Sequence, residues 1–242
     1  MGPDPAQVKR AEIRRMFASI VHRYDLLNRL LSCRRDVYWR RVAVAQGHMA
    51  SGGRALDLCA GTADVALEIL RQIPGAFVIA VDNCEPMLFR GLQKARTAGV
   101  ADRIRFVAAP AEVLPFADET FEGIFVAFGI RNVADRRQGL QEMARVLKPG
   151  GRAVILEFSI PTSPLCRFLY HFYSHRLLPL IGGLLSGNRA AYEYLPTSVD
   201  GFPSAEGLQA LLEEVGFSQV SYSPLTFGIV TIHQGRKVDH RG

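Results

Sequence analysis

The sequence predicts an α/β protein with a doubly wound, mostly parallel sheet, and three observations support this fold. From residue 54 onward, short apolar runs alternate with stretches of helical periodicity. The runs are apolar throughout, which is typical of strands buried on both faces, and repeated strand–helix units imply right-handed crossovers between parallel strands. A chain of 242 residues, 48% hydrophobic and 21% charged, also suffices for one core and is not disordered.

Seven strands are expected, five in the strand–helix units and two that close the sheet at the C-terminal end. They are predicted at 55–59, 77–81, 104–108, 123–128, 153–158, 218–223 and 228–233. Helices are predicted near 62–72, 85–97 and 137–147. A last helix begins after Ser204, whose hydroxyl suits an N-cap, and it ends at Gly216.

Residues 1–50 are predicted to form an N-terminal helical cap. Apolar side chains recur on one helix face, at Met16, Phe17, Ile20, Tyr24, Leu27 and Leu31. The first 41 residues hold ten Lys/Arg and four Asp/Glu, so the whole net charge of +6 lies there. A basic helix of this kind suits nucleic acid, anionic lipid or an acidic ligand, and a solvated helix face is the alternative.

Residues 161–200 are predicted to form an insertion, in which aromatic side chains are interleaved with arginine and histidine. The segment is too polar for a buried core and too apolar for an ordinary loop, so we interpret it as a lid or a membrane-facing surface. The main domain is expected to span 51–235, and residues 236–242 are expected to form a tail.

Several classes of protein are excluded by simple counts. The longest apolar run, at 177–185, has nine residues, whereas a membrane-spanning helix needs about 18. No signal-peptide pattern opens the sequence. The four cysteines are scattered without a C-x-x-C pair, which argues against a disulfide framework or a zinc site. We therefore expect a cytoplasmic protein without a bound metal.

The turn after the first predicted strand points to a cofactor. Small residues around Gly61 follow Asp57, and such a turn brings backbone amides close to a ligand. A dinucleotide fingerprint would need glycine at 59, 61 and 64, and only Gly61 is present. The acidic Asp57 and Asp64 would repel a diphosphate but favour S-adenosylmethionine (SAM), whose sulfonium is a cation. An ordinary tight strand–helix turn is the alternative.

Other residues at the predicted carboxyl edge of the sheet suit the same cofactor. Asp82 ends the second strand, where its carboxylate would accept hydrogen bonds from both ribose hydroxyls. Met87 would pack on the adenine, although a core methionine is an equal alternative. The loop that contains Ala111 follows the third strand, and the Ala111 amide would donate to an adenine ring nitrogen. Ala127 ends the fourth strand at the topological switch point.

The chain resembles class I SAM-dependent methyltransferases, and more narrowly the ubiquinone/menaquinone biosynthesis C-methyltransferases of the UbiE/MenG family. The resemblance extends over residues 13–237. It rests on several separate blocks, among them Arg-Tyr-Asp-Leu-Leu-Asn at 23–28, Trp-Arg-Arg at 39–41, Phe-Gly-Ile-Arg-Asn-Val at 128–133 and Tyr-Glu-Tyr-Leu-Pro-Thr-Ser-Val at 192–199. Pro110 departs from the family's usual Asn or Asp, so adenine contacts there depend on Ala111.

The resemblance implies SAM-dependent C-methylation of a polyprenylated quinol, either demethylmenaquinol or a methoxy-benzoquinol. Together with the residues above, it predicts SAM contacts at Asp57, Ala60, Gly61, Thr62, Asp82, Asn83, Met87, Pro110, Ala111 and Ala127. The quinol is expected at Tyr24, Asn28, Tyr192 and Tyr194. Peripheral contact with the inner membrane is expected through the basic first helix and the insertion. A homodimer or an association with other quinone-biosynthesis enzymes remains open.

Arg131, just after the fourth strand, is the candidate catalytic residue, because its charge would stabilise a phenolate oxygen of the quinol. It stays protonated and so cannot itself be the base. A salt bridge of Arg131 with Asp135 or Glu157 is the structural alternative.

Other functions are compatible with parts of the pattern. A nucleic-acid methyltransferase would explain the basic N-terminus, but the position after the fourth strand lacks an Asn-Pro-Pro-aromatic run, and we expect no nucleic-acid partner. A small-molecule O- or N-methyltransferase would share the same core. A non-enzymatic accessory subunit that binds SAM or lipid is the third alternative.

Overall fold

The computed structural model describes residues 5–186 and 189–238. Two helices come first, α1 (Pro5–Leu31) and α2 (Arg35–Gln46). Both lie within residues 1–50, the segment predicted as a helical cap. Arg34, at the junction between them, has a left-handed backbone with φ +61°.

The described residues contain one seven-stranded sheet in the order β3-β2-β1-β4-β5-β7-β6. Its strands are β1 (Arg54–Leu58), β2 (Phe77–Asp82), β3 (Ile104–Ala108), β4 (Phe121–Ala127), β5 (Leu147–Phe158), β6 (Phe217–Leu225) and β7 (Val230–Lys237). The first five strands are parallel, whereas β7 runs antiparallel to both β5 and β6. The strand order reverses between β1 and β4, and ligands bind at such a switch point.

Helices cover both faces of the sheet, so its strands are buried on both sides. They are α3 (Asp64–Gln72), α4 (Glu85–Thr97), α5 (Arg136–Val146) and α9 (Ala205–Glu214), together with α2. Neighbouring strand residues face opposite cores: Phe125 packs with Ile69 on one face, and Ile124 packs with Met143 on the other. The uniformly apolar strands are explained by this double burial.

The insertion is helical. It contains α6 (Pro164–Phe172), a π-helical turn (Tyr173–Leu177), α7 (Leu178–Ser186) and α8 (Arg189–Asp200). An apolar cluster that includes Leu27 of α1, Leu178 of α7 and Tyr192 of α8 joins the insertion to the first helix. The first helix and the insertion therefore pack on each other.

Three sequence-based boundaries were wrong. β5 begins at Leu147 and not at residue 153, because the residues before 153 form a bulge within the strand, where Gly150 has φ +75°. β7 pairs with β5 as far as Arg236 and ends at Lys237, so residues 236 and 237 belong to the sheet and not to the tail. Residues 239–242, the rest of that tail, lie outside the described residues. The first helix after β1 begins at Asp64 and not at residue 62.

Gly129 lets the turn after β4 approach the turn after β1. A Cβ at Gly129 would lie 2.3 Å from the Cβ of Cys59. Gly201, in the turn after α8, has more room, since the nearest atom to its Cβ would be the Thr197 carbonyl oxygen at 3.6 Å.

We predict that Gly129→Ala lowers the free energy of unfolding by about 1–3 kcal/mol, because the added methyl forces the two turns apart. Gly201→Ala is the matched control and should change the stability little. Urea denaturation of both variants measures the difference. Equal stability of the two variants would contradict the close packing described here.

Candidate active site

A cleft of about 880 Å³, partly open to solvent, lies at the carboxyl edge of the sheet where β1 and β4 are neighbours. Of the predicted SAM contacts, nine line this cleft: Asp57, Ala60, Gly61, Thr62, Asp82, Asn83, Met87, Ala111 and Ala127. Pro110 is not among the lining residues; its carbonyl accepts a hydrogen bond from the Val113 amide at 3.2 Å. The structure thus brings together residues from five separate segments of the chain.

The turn after β1 has an unusual backbone. Cys59, Gly61 and Ala63 all have left-handed conformations, with φ of +55°, +52° and +63°. Only glycine adopts this conformation without cost, and strained backbone of this kind is concentrated at functional sites. The Gly61 amide donates to Oδ2 of Asp82 at 2.8 Å, and the Cys84 amide donates to Oδ1 of Asp82 at 2.8 Å. Asp82 therefore fixes the turn while its remaining lone pairs stay available at the cleft.

Asp57 is the most informative group in the cleft. Its carboxylate is 1% exposed, and Oδ2 accepts the Ala66 amide at 2.9 Å. Oδ1 is buried and has no hydrogen-bond partner in the described residues. Burial raises the pKa of Asp57 to about 8, the Ala66 amide opposes that rise, and the charge of Asp82 adds to it. A buried, unpartnered carboxylate oxygen at a cleft is suited to a cationic ligand.

The charge of Asp64, by contrast, is neutralised by cations of the protein. Lys94 forms an ion pair with its Oδ1, the Arg29 guanidinium lies 3.5 Å from the same oxygen, and Arg40 lies 3.8 Å from Oδ2. Burial alone would raise the pKa of Asp64, but Arg40 and Lys94 lower it below its usual value. The expectation that Asp64 adds to the attraction for a cation is therefore wrong, and Asp57 and Asp82 remain for that role.

The same cluster holds α1 across the cleft. The Thr62 hydroxyl donates to Oδ1 of Asp25 at 2.5 Å, and Lys94 Nζ donates to Oδ2 of Asp25 at 3.0 Å. Ile13, Phe17 and Tyr24 of α1 line the cleft. The sequence predicted the apolar face of this helix but not that the face covers the cleft, because the partners of the helix are 35 or more residues away.

Of the four residues expected to bind the quinol, Tyr24 lines the cleft, and Asn28 and Tyr194 each hydrogen-bond to a residue that lines it. Burial raises the pKa of Tyr24, and the nearby charges of Arg40 and Arg131 oppose that rise. Asn28 hydrogen-bonds with Tyr24. The Tyr194 hydroxyl donates at 2.9 Å to Oδ1 of Asn132, which lines the cleft.

Tyr192 and Arg131 are placed differently from the expectation. Tyr192 is buried in the apolar cluster between α1, α7 and α8, so the structure does not bring it to the cleft. Arg131 forms a buried salt bridge with Glu157, Nη1 to Oε1 at 2.7 Å, which is the alternative that the sequence left open. Its Nε also donates to the Ser198 hydroxyl at 3.2 Å. Nη2 makes no hydrogen bond within the described residues.

Some residues that line the cleft were not predicted as ligands. They include Arg10, Phe17, Arg40, Glu112 and Asn132. Glu112 is 6% exposed, and its Oε1 accepts the Ala134 amide at 3.1 Å. Nothing in the pattern around Glu112 indicates that position, whereas Arg40 belongs to a sequence block of the resembled family.

The sequence matches the model of the ubiE/COQ5 methyltransferase family over residues 6–237. The chain belongs to this family. It is 53% identical over 230 residues to a protein of Geobacter sulfurreducens named ubiquinone/menaquinone biosynthesis C-methyltransferase, covering 95% of this chain and 90% of that one. It is 47% identical over 220 residues to a demethylmenaquinone methyltransferase of Thermus thermophilus, covering 91% and 99%.

The fold agrees with solved structures of more distant proteins. A SAM-dependent methyltransferase of Thermotoga maritima superposes with a TM-score of 0.64 at 18% identity, covering 92% of this chain and 99% of that one. The chain therefore has the class I, Rossmann-like methyltransferase fold that the sequence predicted. It is a methyltransferase, and its methyl donor is SAM.

The residues present fit this donor. Oδ1 of Asp57 offers a buried acceptor to a cation, and a Cβ at Gly61 would meet no atom within 4 Å, so the turn leaves room for a ligand. Asp82 has lone pairs for ribose hydroxyls. Assignment of individual contacts to SAM stays a prediction.

We predict that SAM binding releases protons through Asp57. A bound cation favours the ionised carboxylate, so it lowers the pKa of Asp57 from about 8. The affinity for SAM should therefore rise as the pH increases towards that value. Calorimetry at about pH 6.5 in buffers of different ionisation enthalpy counts the protons, up to about one per SAM. Asp57→Asn should weaken SAM binding by about tenfold or more and abolish this release. If the Asp57→Asn variant released as many protons on SAM binding as the natural chain, another group would be their source.

Proposed function

We propose that this enzyme transfers the methyl group of SAM to a ring carbon of a polyprenylated quinol. Demethylmenaquinol, 2-polyprenyl-6-methoxy-1,4-benzoquinol, or both are the expected substrates. The names of the two relatives support this substrate class. The observation that carries the proposal is the buried Asp57 oxygen without a partner, at a cleft that aromatic residues of α1 cover.

The chain's task is to favour a phenolate and to exclude water, because an aromatic carbon becomes a strong nucleophile only when the neighbouring hydroxyl loses its proton. SAM supplies an electrophilic methyl group and leaves as S-adenosylhomocysteine when the ring carbon–methyl bond forms. Phe17 and Tyr24 of α1 shield the cleft from solvent. The hydroxyl proton passes to solvent, and after methylation the ring carbon loses its own hydrogen as a proton while the oxygen is reprotonated, so the balanced reaction releases one proton per methyl group transferred.

Arg131 is proposed to stabilise the phenolate oxygen from just behind the cleft lining, since its neighbours Gly129 and Asn132 line the cleft and Arg131 itself does not. Its Nη1 is held by Glu157, and its guanidinium lies 5.4 Å from the centre of the Phe158 ring. These contacts fix the guanidinium in one orientation, which is what transition-state stabilisation requires. Two groups would contact the quinol hydroxyls. One is Tyr24, whose raised pKa is partly offset by the charge of Arg131, and the other is the Tyr194–Asn132 pair.

The polyprenyl tail needs an apolar surface, and the insertion provides one. Large side chains are exposed at i, i+3, i+4 and i+7 on α6 (Leu165, Phe168, Leu169 and Phe172) and on the following π turn and α7 (Leu177, Leu180, Ile181 and Leu184). We call these eight residues the insertion face. Such large exposed apolar patches mark contacts with membranes or partners. The described residues contain no helix long and apolar enough to cross a membrane.

The insertion face and the basic first helix together favour a bilayer surface as the partner. Leu26 and Leu30 of α1 are also exposed, at 68% and 55%. Arginine side chains on that helix add attraction to anionic lipid. We therefore propose a peripheral association with the inner membrane from the cytoplasmic side.

The substrate class is tested by product analysis. Incubation with SAM and either demethylated quinol should give a ring-methylated product and S-adenosylhomocysteine, identified by chromatography and mass spectrometry. The oxidised quinone should not react, since it has no hydroxyl to ionise. Methylation of RNA, or of an oxygen or nitrogen in place of the ring carbon, would favour one of the rival methyltransferases.

Variants at Arg131 separate chemistry from stability. Arg131→Met alone leaves the Glu157 charge buried and unpaired, which should cost about 3–5 kcal/mol of stability. The double variant Arg131→Met/Glu157→Gln removes that charge and should restore most of the stability. Its kcat should remain about 100-fold or more below that of the natural enzyme. If the double variant regains full turnover, the salt bridge is structural and the catalytic role is wrong.

Membrane association is tested by flotation with anionic vesicles. Leu165→Ser/Phe168→Ser should reduce binding by about tenfold or more, since each side chain loses about 1.5–3 kcal/mol of apolar burial. Phe89→Ser/Val113→Ser is the matched control, because those side chains are 61% and 66% exposed but lie outside the insertion. Equal loss in both double variants would exclude the insertion face as the contact.

A further inference from the structure

Three metal-ligating side chains meet in the insertion, apart from the cleft. His171 is in α6, His175 is in the π turn, and Asp200 ends α8. One ligating atom from each residue lies within 4.8 Å of the other two. The three residues thus come from two helical segments that face each other.

His175 has no competing partner outside this group of three residues. Both ring nitrogens of His175 are buried and make no hydrogen bond within the described residues. His175 Nε2 lies 3.1 Å from Oδ2 of Asp200, and the centres of the His171 and His175 rings are 5.2 Å apart. Buried ring nitrogens normally find a partner. A cation between the two imidazoles and the carboxylate would supply one.

The local backbone explains how the histidines share one side. Residues four apart lie on the same helix face, and the π turn begins at Tyr173, between His171 and His175. Single π turns within helices are frequent at functional sites. Asp200 is 42% exposed and His175 is 33% exposed, so an ion can enter from solvent.

We propose that His171, His175 and Asp200 form a site for a first-row divalent cation, with Zn²⁺ as the best fit. Two imidazoles and one carboxylate match the ligands that Zn²⁺ and its neighbours prefer, and water would complete the coordination. Mg²⁺ and Ca²⁺ prefer all-oxygen sites. The sequence-based expectation of no metal came from the cysteines, whereas the site uses histidines four residues apart.

A bound cation would join α8 to the segment formed by α6 and the π turn. α8 also carries Tyr194, which donates to Asn132 in the lining of the cleft, and Ser198, which accepts from Arg131 behind that lining. The ion would therefore fix the position of that lining, as a structural and not a catalytic metal.

The test uses the untagged full chain, stripped of metal with a chelator. Titration with Zn²⁺ in a calorimeter should show one site, and Co²⁺ should give the visible absorption of a four- or five-coordinate complex. His171→Ala, His175→Gln and Asp200→Asn should each weaken Zn²⁺ binding by about tenfold or more. Mg²⁺ should not compete. His48→Ala, in the segment between α2 and β1, is the matched control and should bind Zn²⁺ normally.

A second measurement guards against loss of folding in these variants. Circular dichroism should show native helix content, and Zn²⁺ should slow proteolysis within residues 161–200 of the natural chain but not of His175→Gln. Absence of Zn²⁺ binding, or binding that all three ligand variants retain, would overturn the proposed site.

Discussion

The buried carboxylate of Asp57, with one oxygen left without a partner, is the constraint on which the rest of the structure depends. It lies at the point where the strand order reverses, between β1 and β4. The fold bears the cost of burying this group, which the Ala66 amide offsets only in part, and a cation at the cleft would offset more of it. The same arrangement disfavours a diphosphate. The preference for a sulfonium donor therefore follows from the position of one side chain in a parallel sheet.

The remaining charges around the cleft connect the cofactor site to its cover. Lys94 and Arg40 neutralise Asp64, and Lys94 also binds Asp25 of α1. Because these contacts hold α1 over the turn after β1, the helix that covers the cleft is fixed by the turn that lines it. α1 also packs on the insertion, and Phe17 and Tyr24 take part in both contacts, so α1 connects the cleft to the insertion.

The sequence predicted the fold and the edge of the sheet that carries the site, because apolar runs and small-residue turns are local signals. The bulge before residue 153 was missed, since the Pro149-Gly150 pair is equally typical of a turn. Pairings between distant residues left no local signal. The spacing of residues in the sequence did not indicate that Phe17 covers the cleft or that Tyr192 is buried in an apolar cluster. For Arg131, the sequence offered Asp135 and Glu157 as salt-bridge partners and did not decide between them.

The most direct measurement of the central claim compares two adenine-containing ligands of opposite charge in one calorimetric experiment. SAM should bind with one molecule per chain, whereas NADH, which carries a diphosphate, should give no heat of binding at the same concentrations. Tight binding of NADH together with no response to SAM would contradict an acidic cleft built for a cation.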